Sequence, residues 1–561
     1  MSVQQDDLIK FVTNRQTALE KDKRLWETLL QDVADYVNPV REDIKGMLQS
    51  GTKQGTKIYD GTAVSAAVLA TDGIHGYHVS PAFPWFKYVM NRQELNKLPE
   101  VKEWLQEIEY NMYMALNRSN FYSEMWPYIY DGETMGTAVI YPEEDIGEGR
   151  IVFDTVHFGE LYITENRYGE VDVLHRKRKL TARKMAQMFG KNNLPDSIKQ
   201  VFETQPFQEF EIIHAVYPRE DYDDRRKDAK SKKYASVWMC KENSHLLKES
   251  GYDIFPYKTW RYIKSGREVY GRSPALLAMA DIKGLNLISK SLLGAAQLSI
   301  DPPLNVPADM MGKVQWKPRG LNPFDDANKK VSPIATGINF PVGIDREQAK
   351  QKAIRDFFHV DTFLMLSQLA GQGQRTAYEV SELMGEKAAV LGAELGPLNT
   401  QLDQILDYVY EIELNAGRMP KPPDILMEIA QPGDRFDPIY MGPLAQAQRE
   451  RFGSEGIKKF FVMMEPLLQV KPDILDNFDL DVAALHIHEI SGAPQKIVRK
   501  TEVRDEIRQG RIAAMQAESQ KDDAERLVAG IKTASEADKN MEGQLGKNMA
   551  AIVGGGASGQ A

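Results

Sequence analysis

The sequence predicts an α+β protein that is predominantly helical, and three observations lead to that class. Apolar residues recur at spacings of three and four before residue 136 and again beyond residue 272, the period of an amphipathic helix. Between residues 136 and 240 the period falls to two, as in half-buried strands. The long helical runs end at Pro or Gly, the residues that stop helices.

In chain order, Leu8, Phe11 and Val12 open an amphipathic pattern that Leu25, Trp26, Leu29, Leu30, Val33 and Tyr36 continue as far as Pro39. Gly46, Gly51 and Gly55 mark a loop, and an alanine-rich helix follows at 63–71, so residues 1–135 read as mostly helix. Short strands are predicted at 137–141, 150–156, 161–164, 171–175, 211–217 and 234–239, with turns at 147–149 and 167–169. The charge run Asp221 to Lys233 reads as a solvated hairpin loop.

Ser273-Pro274 then supplies a helix cap followed by proline at the first helical position. This helix runs to Ile300 and is stopped by Asp301-Pro302-Pro303, a length of roughly 40 Å. Apolar residues wrap most of its circumference, interspersed with the small residues Ala275, Ala278, Gly284, Ser291, Gly294 and Ala295. Such a helix must be buried on several sides, either in the core of a large domain or against neighbouring subunits.

A second helix is predicted from Ile344-Asp345 to Leu369, charged in its first half and apolar in its second. Between the two lies a Pro- and Gly-rich insertion from Asp301 to Pro341, too long for a simple connection and expected to be a small module. After Gly371-Gln372-Gly373-Gln374-Arg375, Thr376 and Glu379 fit a capping box. Apolar residues from Val380 to Ile412 continue that third helix until Gly417 and Pro420 end it, giving roughly 60 Å. Pro397 removes a backbone bond in its middle and predicts a kink. Residues 442–519 read as helical again, broken at Pro466 and Pro472, and the glycine-rich end is expected to be disordered.

Composition excludes whole classes. With 561 residues, 42% hydrophobic and 27% charged, the chain can bury a core and form two to four domains. A single cysteine, Cys240, permits no intrachain disulfide and is expected to be a packed thiol in a reducing compartment. The net charge of −10 argues against tight gripping of nucleic acid over most of the surface. No signal peptide is expected from the polar first ten residues. The most apolar stretch, Ser273 to Ile300, carries Asp281, Lys283 and Lys290, so no membrane span is expected either.

Motifs that carry chemistry are scarce. There is no phosphate-cradling Gly-Lys-Ser/Thr loop and no nucleophile elbow, and Gly371-Gln372-Gly373 lacks a third glycine and a preceding strand. His486 with His488 and His75 with His78 have no clear third ligand. The pairs Glu143-Glu144 and Asp325-Asp326 read as surface charge. No enzymatic activity, cofactor or metal is therefore expected.

Several segments resemble, in order, the head-to-tail connector (portal) family of short-tailed bacteriophages. They are Ile58-Tyr-Asp-Gly-Thr62, Ser80-Pro81 with Trp85-Phe86, Ser119-Asn-Phe-Tyr122, and Glu268 to Pro274 with Asp281-Ile-Lys-Gly-Leu-Asn286. Arg375-Thr-Ala-Tyr-Glu-Val380, Leu391-Gly392, Leu395 to Leu398, Gly417 to Pro420 and Gly442 to Gln448 continue the series, so that the resemblance spans residues 8–515. Tyr378 departs from the shorter residue the family more often carries before the glutamate.

The resemblance implies a portal fold with wing, stem, clip and crown and a long kinked wing helix, in a homo-oligomeric ring of twelve around a DNA tunnel. Laid on this chain, it implies a helical and β wing region at 1–271, stem helices at 272–300 and 342–369, and a clip at 301–341. A tunnel loop would occupy 370–375, the long kinked wing helix 376–418, C-terminal wing and crown helices 419–518, and a disordered tail 519–561. DNA-facing candidates are Gln372, Gln374, Arg375, Lys283 and Lys290, and adaptor-docking candidates are Trp316 and Phe324. The implied partners are the major capsid and scaffolding proteins, the terminase packaging motor, a tail adaptor protein and double-stranded DNA, with no membrane. The implied location is the portal vertex of the virion, after assembly in the host cytoplasm. The alternative is a capsid scaffold or adaptor protein that passes no DNA.

Overall fold

A computed structural model describes residues 2–46, 51–145, 147–220, 222, 228–315, 321–323, 326, 330–333, 340–369, 377–441, 464, 478–491, 498–499 and 503–518, with scattered residues from 520 to 532. The chain divides into two compact units, Met1–Met463 and Met464–Ala561.

The first unit mixes helix and antiparallel sheet, in keeping with the α+β class. Four helices open it: α1 (Ser2–Tyr36), α2 (Thr62–His78), α3 (Pro99–Arg118) and α4 (Phe121–Met135). Strand β1 (Phe86–Met90) interrupts them, within a region the periodicity assigns mostly to helix. Its partner is β12 (Phe436–Tyr440), antiparallel, with Phe86 opposite Tyr440. β12 in turn lies inside the stretch 419–518 expected to be helical. Each strand is five residues long and finds its partner some 350 positions away, so neither leaves a local hairpin signal.

The six predicted central strands appear in the predicted order, five of them longer than expected, and two strands that the periodicity does not predict, at 245–252 and 258–261, join them. β2 (Thr137–Asp145), β3 (Arg150–Val156) and β9 (Lys258–Arg261) form one sheet in the order β3-β2-β9. β4 (Leu161–Glu165), β5 (Val171–Thr181), β6 (Glu209–Pro218), β7 (Tyr234–Cys240) and β8 (His245–Tyr252) form a five-stranded meander. Pro218 pairs with Tyr234, so β6 and β7 form a hairpin on either side of the charge run, of which residues 221 and 223–227 lie outside the described residues.

Alternation along these strands serves two layers. Phe210, Ile212, Trp238 and Cys240 face helices α5 (Ala182–Phe189) and α6 (Asp196–Thr204). Ile213, Ala215, Val237 and Met239 face Ile9 and Val12 of α1. Cys240 is fully buried, as predicted, and burial raises its thiol above the usual range.

The remaining helices are α7 (Pro274–Ile300), α8 (Phe340–Phe357), α9 (Val360–Leu369), α10 (Ala377–Asn415) and the short α11 (Asp424–Ile429). The single helix expected from 344 to 369 is two helices, because the backbone turns left-handed at His359, with φ of 50°. The flanking Phe358 and Phe363 are buried in the main core, so the break serves packing rather than propensity. Between α7 and α8, β10 (Leu304–Asn305) pairs with β11 (Ser332–Pro333), closing the base of the insertion.

α10 contains Pro397 and ends where predicted. Gly417 has φ of 73°, its amide donates to Leu414 O at 2.9 Å, and the Arg418 amide reaches Glu413 O at 2.9 Å. This is the paired closure in which a left-handed glycine satisfies the last carbonyls. The Arg418 guanidinium locks it by gripping both Glu413 carboxylate oxygens at 2.6 and 2.9 Å.

In the second unit, α12 (Leu480–Ser491) and a helix over residues 503–518 agree with the helical expectation. Arg508 holds both carboxylate oxygens of Asp481, at 2.6 and 2.7 Å. The glycine-rich tail lies outside the described residues.

Candidate functional site

The helix pair α7 and α8 is rooted in the main core and carries large exposed apolar residues beyond it. Its root is fixed. Ser273 caps α7, its Oγ accepting from the Leu276 amide at 3.1 Å and donating to Thr134 O at 2.6 Å. Ala275, Ala278, Ile282 and Leu285 are buried in the main core.

Asn286 is the next anchor. It is buried, and its Oδ1 accepts from the amides of Tyr59 at 2.8 Å and Asp60 at 3.2 Å, while Nδ2 donates to Ile282 O at 3.0 Å. Asp60 in turn accepts from the Thr62 amide at the start of α2 at 2.7 Å, and from Gln351 Nε2 of α8 at 2.9 Å. Asp281 binds Lys350, and Ser289 Oγ donates to Glu347 Oε1 at 2.5 Å. Two segments far apart in sequence, 58–62 and 281–286, thus meet as one polar clasp that fixes where α7 and α8 leave the body.

Beyond Asn286 the helix loses its cover. Leu287 is 66% exposed and Ile300 is 85% exposed, although the sequence requires burial on several sides. The exposure is ordered. Leu277, Ala280, Gly284, Leu287, Ser291, Gly294 and Leu298 follow one another at alternating spacings of three and four, the repeat of a helix-helix seam. Leu277 is 52% exposed and Leu298 46%, and the small residues between them carry no bulk above the backbone. Ser291 turns its hydroxyl back to Leu287 O at 2.8 Å, leaving the seam apolar.

Lys283 and Lys290 occupy one face beside this seam, seven residues apart. Lys283 Nζ pairs with Asp32 Oδ2 of α1 at 2.6 Å, and Lys290 Nζ lies 5.1 Å from the centre of the Tyr59 ring. Gln372, Gln374, Arg375, Trp316 and Phe324 lie outside the described residues. The seam itself was not isolated by sequence reading, although the small residues at its positions were the available signal.

Elsewhere the histidines are engaged. His75 Nε2 meets Tyr122 O at 3.1 Å, and His78 Nε2 meets Asn399 Oδ1 at 2.5 Å, with burial pushing His78 down to about 4. The side chains of His486 and His488 lie outside the described residues. Among the described residues, no group of His, Cys, Asp and Glu is arranged to hold a metal ion. No helix among them is long and apolar enough to cross a membrane.

Residues 10–498 match the protein family described as bacteriophage head to tail connecting protein. The chain is 28% identical over 536 residues to the portal protein of Salmonella phage epsilon15, covering 92% of this chain and 94% of that one. It is 27% identical over 484 residues to the probable portal protein of Bordetella phage BPP-1, covering 84% of this chain and 85% of that one.

Proposed function

We infer the working assembly from one premise: the chain belongs to the bacteriophage head to tail connecting protein family, and it is a portal protein, a structural part of the virion. In the assembly we propose, twelve copies close a ring at one capsid vertex around a channel for double-stranded DNA. α7 and α8 act as stem helices, 301–341 as the clip, 370–375 as the tunnel loop and 376–418 as the long wing helix. Capsid and scaffolding proteins meet the ring on the head side, during assembly in the host cytoplasm. The clip receives the packaging motor first and the tail adaptor later, with Trp316 and Phe324 as its anchors.

The observation that carries the ring is the uncovered seam of α7. Leu277, Leu287 and Leu298 repeat every ten or eleven residues with Ala280, Gly284, Ser291 and Gly294 between them, so a neighbour's helix has knobs to pack around and room to come close. Completing the burial of each half-exposed leucine contributes about 1 kcal/mol. That is small for one contact, and closure of a ring repeats it at every interface.

Passage rather than retention suits the charge. Lys283 already has Asp32 as its counterion, and the chain as a whole is acidic. Phosphates passing such a wall meet little counterion release and hence little grip.

A Leu287→Asp variant places a charge in the seam without touching the buried half of α7. Sedimentation velocity is expected to show the native chain as a large single species and the variant as a folded monomer. Rings that persist in the variant would remove α7 from the interface.

A further inference from the structure

We propose that a pocket enclosed by α3, α10, α11 and β12 receives the cationic side chain of a lysine- or arginine-bearing segment of a partner protein. The cavity measures about 450 Å³ and is lined by Trp104, Asp407, Tyr410, Leu426, Phe436 and Asp437, among others. It lies away from the α7 seam and does not depend on the ring.

Its walls are aromatic. Trp104 and Tyr410 stand edge-on to Phe436 within the lining, at centroid separations of 5.7 and 5.1 Å and interplanar angles of 89° and 81°, and Tyr88 packs edge-on to Phe436 from outside the lining, at 5.1 Å and 80°. Ring faces attract cations, and the methylenes of a lysine or arginine pack on the same surfaces.

Its charge is unbalanced in one place. Of the acidic residues in and around the pocket, Asp434 pairs with Arg92 at 3.1 Å, Asp437 pairs with Arg435 at 3.0 Å, and Asp403 accepts from the Tyr440 hydroxyl at 2.5 Å. Asp407 has no hydrogen bond or ion pair among the described residues, and it is exposed to an incoming group. The fields of Lys258 and Arg435 both reach it, but Lys258 donates instead to Phe255 O at 2.7 Å and lies over the Tyr408 ring, and Arg435, which also lines the pocket, is paired with Asp437.

Two further observations point the same way. Asp403, Asp407 and Glu411 stand one turn apart along α10, a like-charge row that disfavours the helix unless a cation shares it. Desolvation raises all three carboxyls above their ordinary range, and Asp403 adds to the effect at Asp407. Glu411 Oε2 is buried without a partner, and so is the hydroxyl of Tyr88, whose ring packs on Phe436 and whose field is coupled to Asp407. Of these groups Asp407 lines the pocket, and an ammonium or guanidinium group there brings it the donor and the charge it lacks.

The alternatives fit less well. Among the described residues no cluster of carboxylates converges as a metal site, and the aromatic walls offer few oxygen ligands to a bare ion. A nucleic acid would present phosphates to the acidic rim.

Isothermal titration of the full chain with the peptide acetyl-Gly-Arg-Lys-Arg-Lys-Gly-amide, at low salt, tests the proposal. A peptide with glutamine in place of each basic residue serves as the control. Saturable binding at one site per chain is expected, weakened at least fivefold by Asp407→Asn and by Phe436→Leu but unchanged by Glu203→Gln on α6. Asp407→Asn is close to isosteric at an exposed position, so it stays informative if Phe436→Leu disturbs the fold; circular dichroism reports on both. The proposal is overturned by absent or non-saturable binding, by equal binding of the glutamine peptide, or by equal weakening in Glu203→Gln and Asp407→Asn.

Discussion

Lys23 is the least legible residue in the sequence and the most informative in the fold. It sits on α1 among polar neighbours, yet its side chain is fully buried, donating from Nζ to Phe158 O at 2.6 Å and Gly159 O at 3.1 Å. The Phe158 and Tyr162 rings lie 4.8 and 4.2 Å from the same nitrogen. Burial pushes its pKa down from 10.5 to about 7, only partly opposed by Glu27. Between pH 7 and about 10 the unfolded chain therefore holds a proton that the folded chain has released, and stability rises with pH across that window. The slope is at most about 1.4 kcal/mol per pH unit; below pH 7 both states are protonated and the contribution is flat. Denaturant titrations at pH 7, 8 and 9 are expected to show a steeper rise in the native chain than in Lys23→Met, which keeps only the share of buried Lys258, itself pushed down to about 8. Parallel profiles for the two proteins would rule it out. Gly132 makes the complementary point about close approach, since a Cβ there would lie 1.9 Å from the buried Trp260 ring. Gly132→Ala is expected to cost about 1–3 kcal/mol, measured as a lowered denaturation midpoint.

At the scale of elements, what was legible follows from where the deciding interactions lie. The ends of α7 and α10 could be read because caps and stops are local: Ser273-Pro274, Asp301-Pro302 and Gly417 act within a turn of themselves. The break at His359 could not, because buried aromatic residues set it and the local sequence carries no helix stop. β1 and β12 escaped for the same reason, each depending on a strand from the other end of the unit. The insertion between α7 and α8 has a base of only two residue pairs, Leu304 with Pro333 and Asn305 with Ser332, so it is separable from the helices that carry it. Deleting residues 306–331 is accordingly expected to leave assembly intact while abolishing capture of the tail adaptor in a pull-down. In the same way, alanine at Gln372, Gln374 and Arg375 is expected to spare assembly and alter genome retention in particles. Adaptor capture by the deletion, or normal retention by the alanine variant, would refute the respective assignment.

At the scale of the whole molecule, the family resemblance was carried by short segments scattered along the chain, and the clasp at Asn286 gives two of them a physical reason. The Tyr59-Asp60 turn and the Asp281–Asn286 stretch of α7 are one structural unit, fixing the direction in which an incompletely covered helix leaves the body. The sequence leads one to expect burial of that helix on several sides; in the single chain Leu277, Leu287, Leu298 and Ile300 stay largely exposed, and the ring proposed above would cover them with a second copy. The direct measurement is electron microscopy of the purified native chain, with native mass spectrometry on the same sample. Closed rings with a central hole and a mass near twelve chains are the predicted result. A folded monomer at micromolar concentration, with Leu277, Leu287 and Leu298 still open to solvent, would contradict the account.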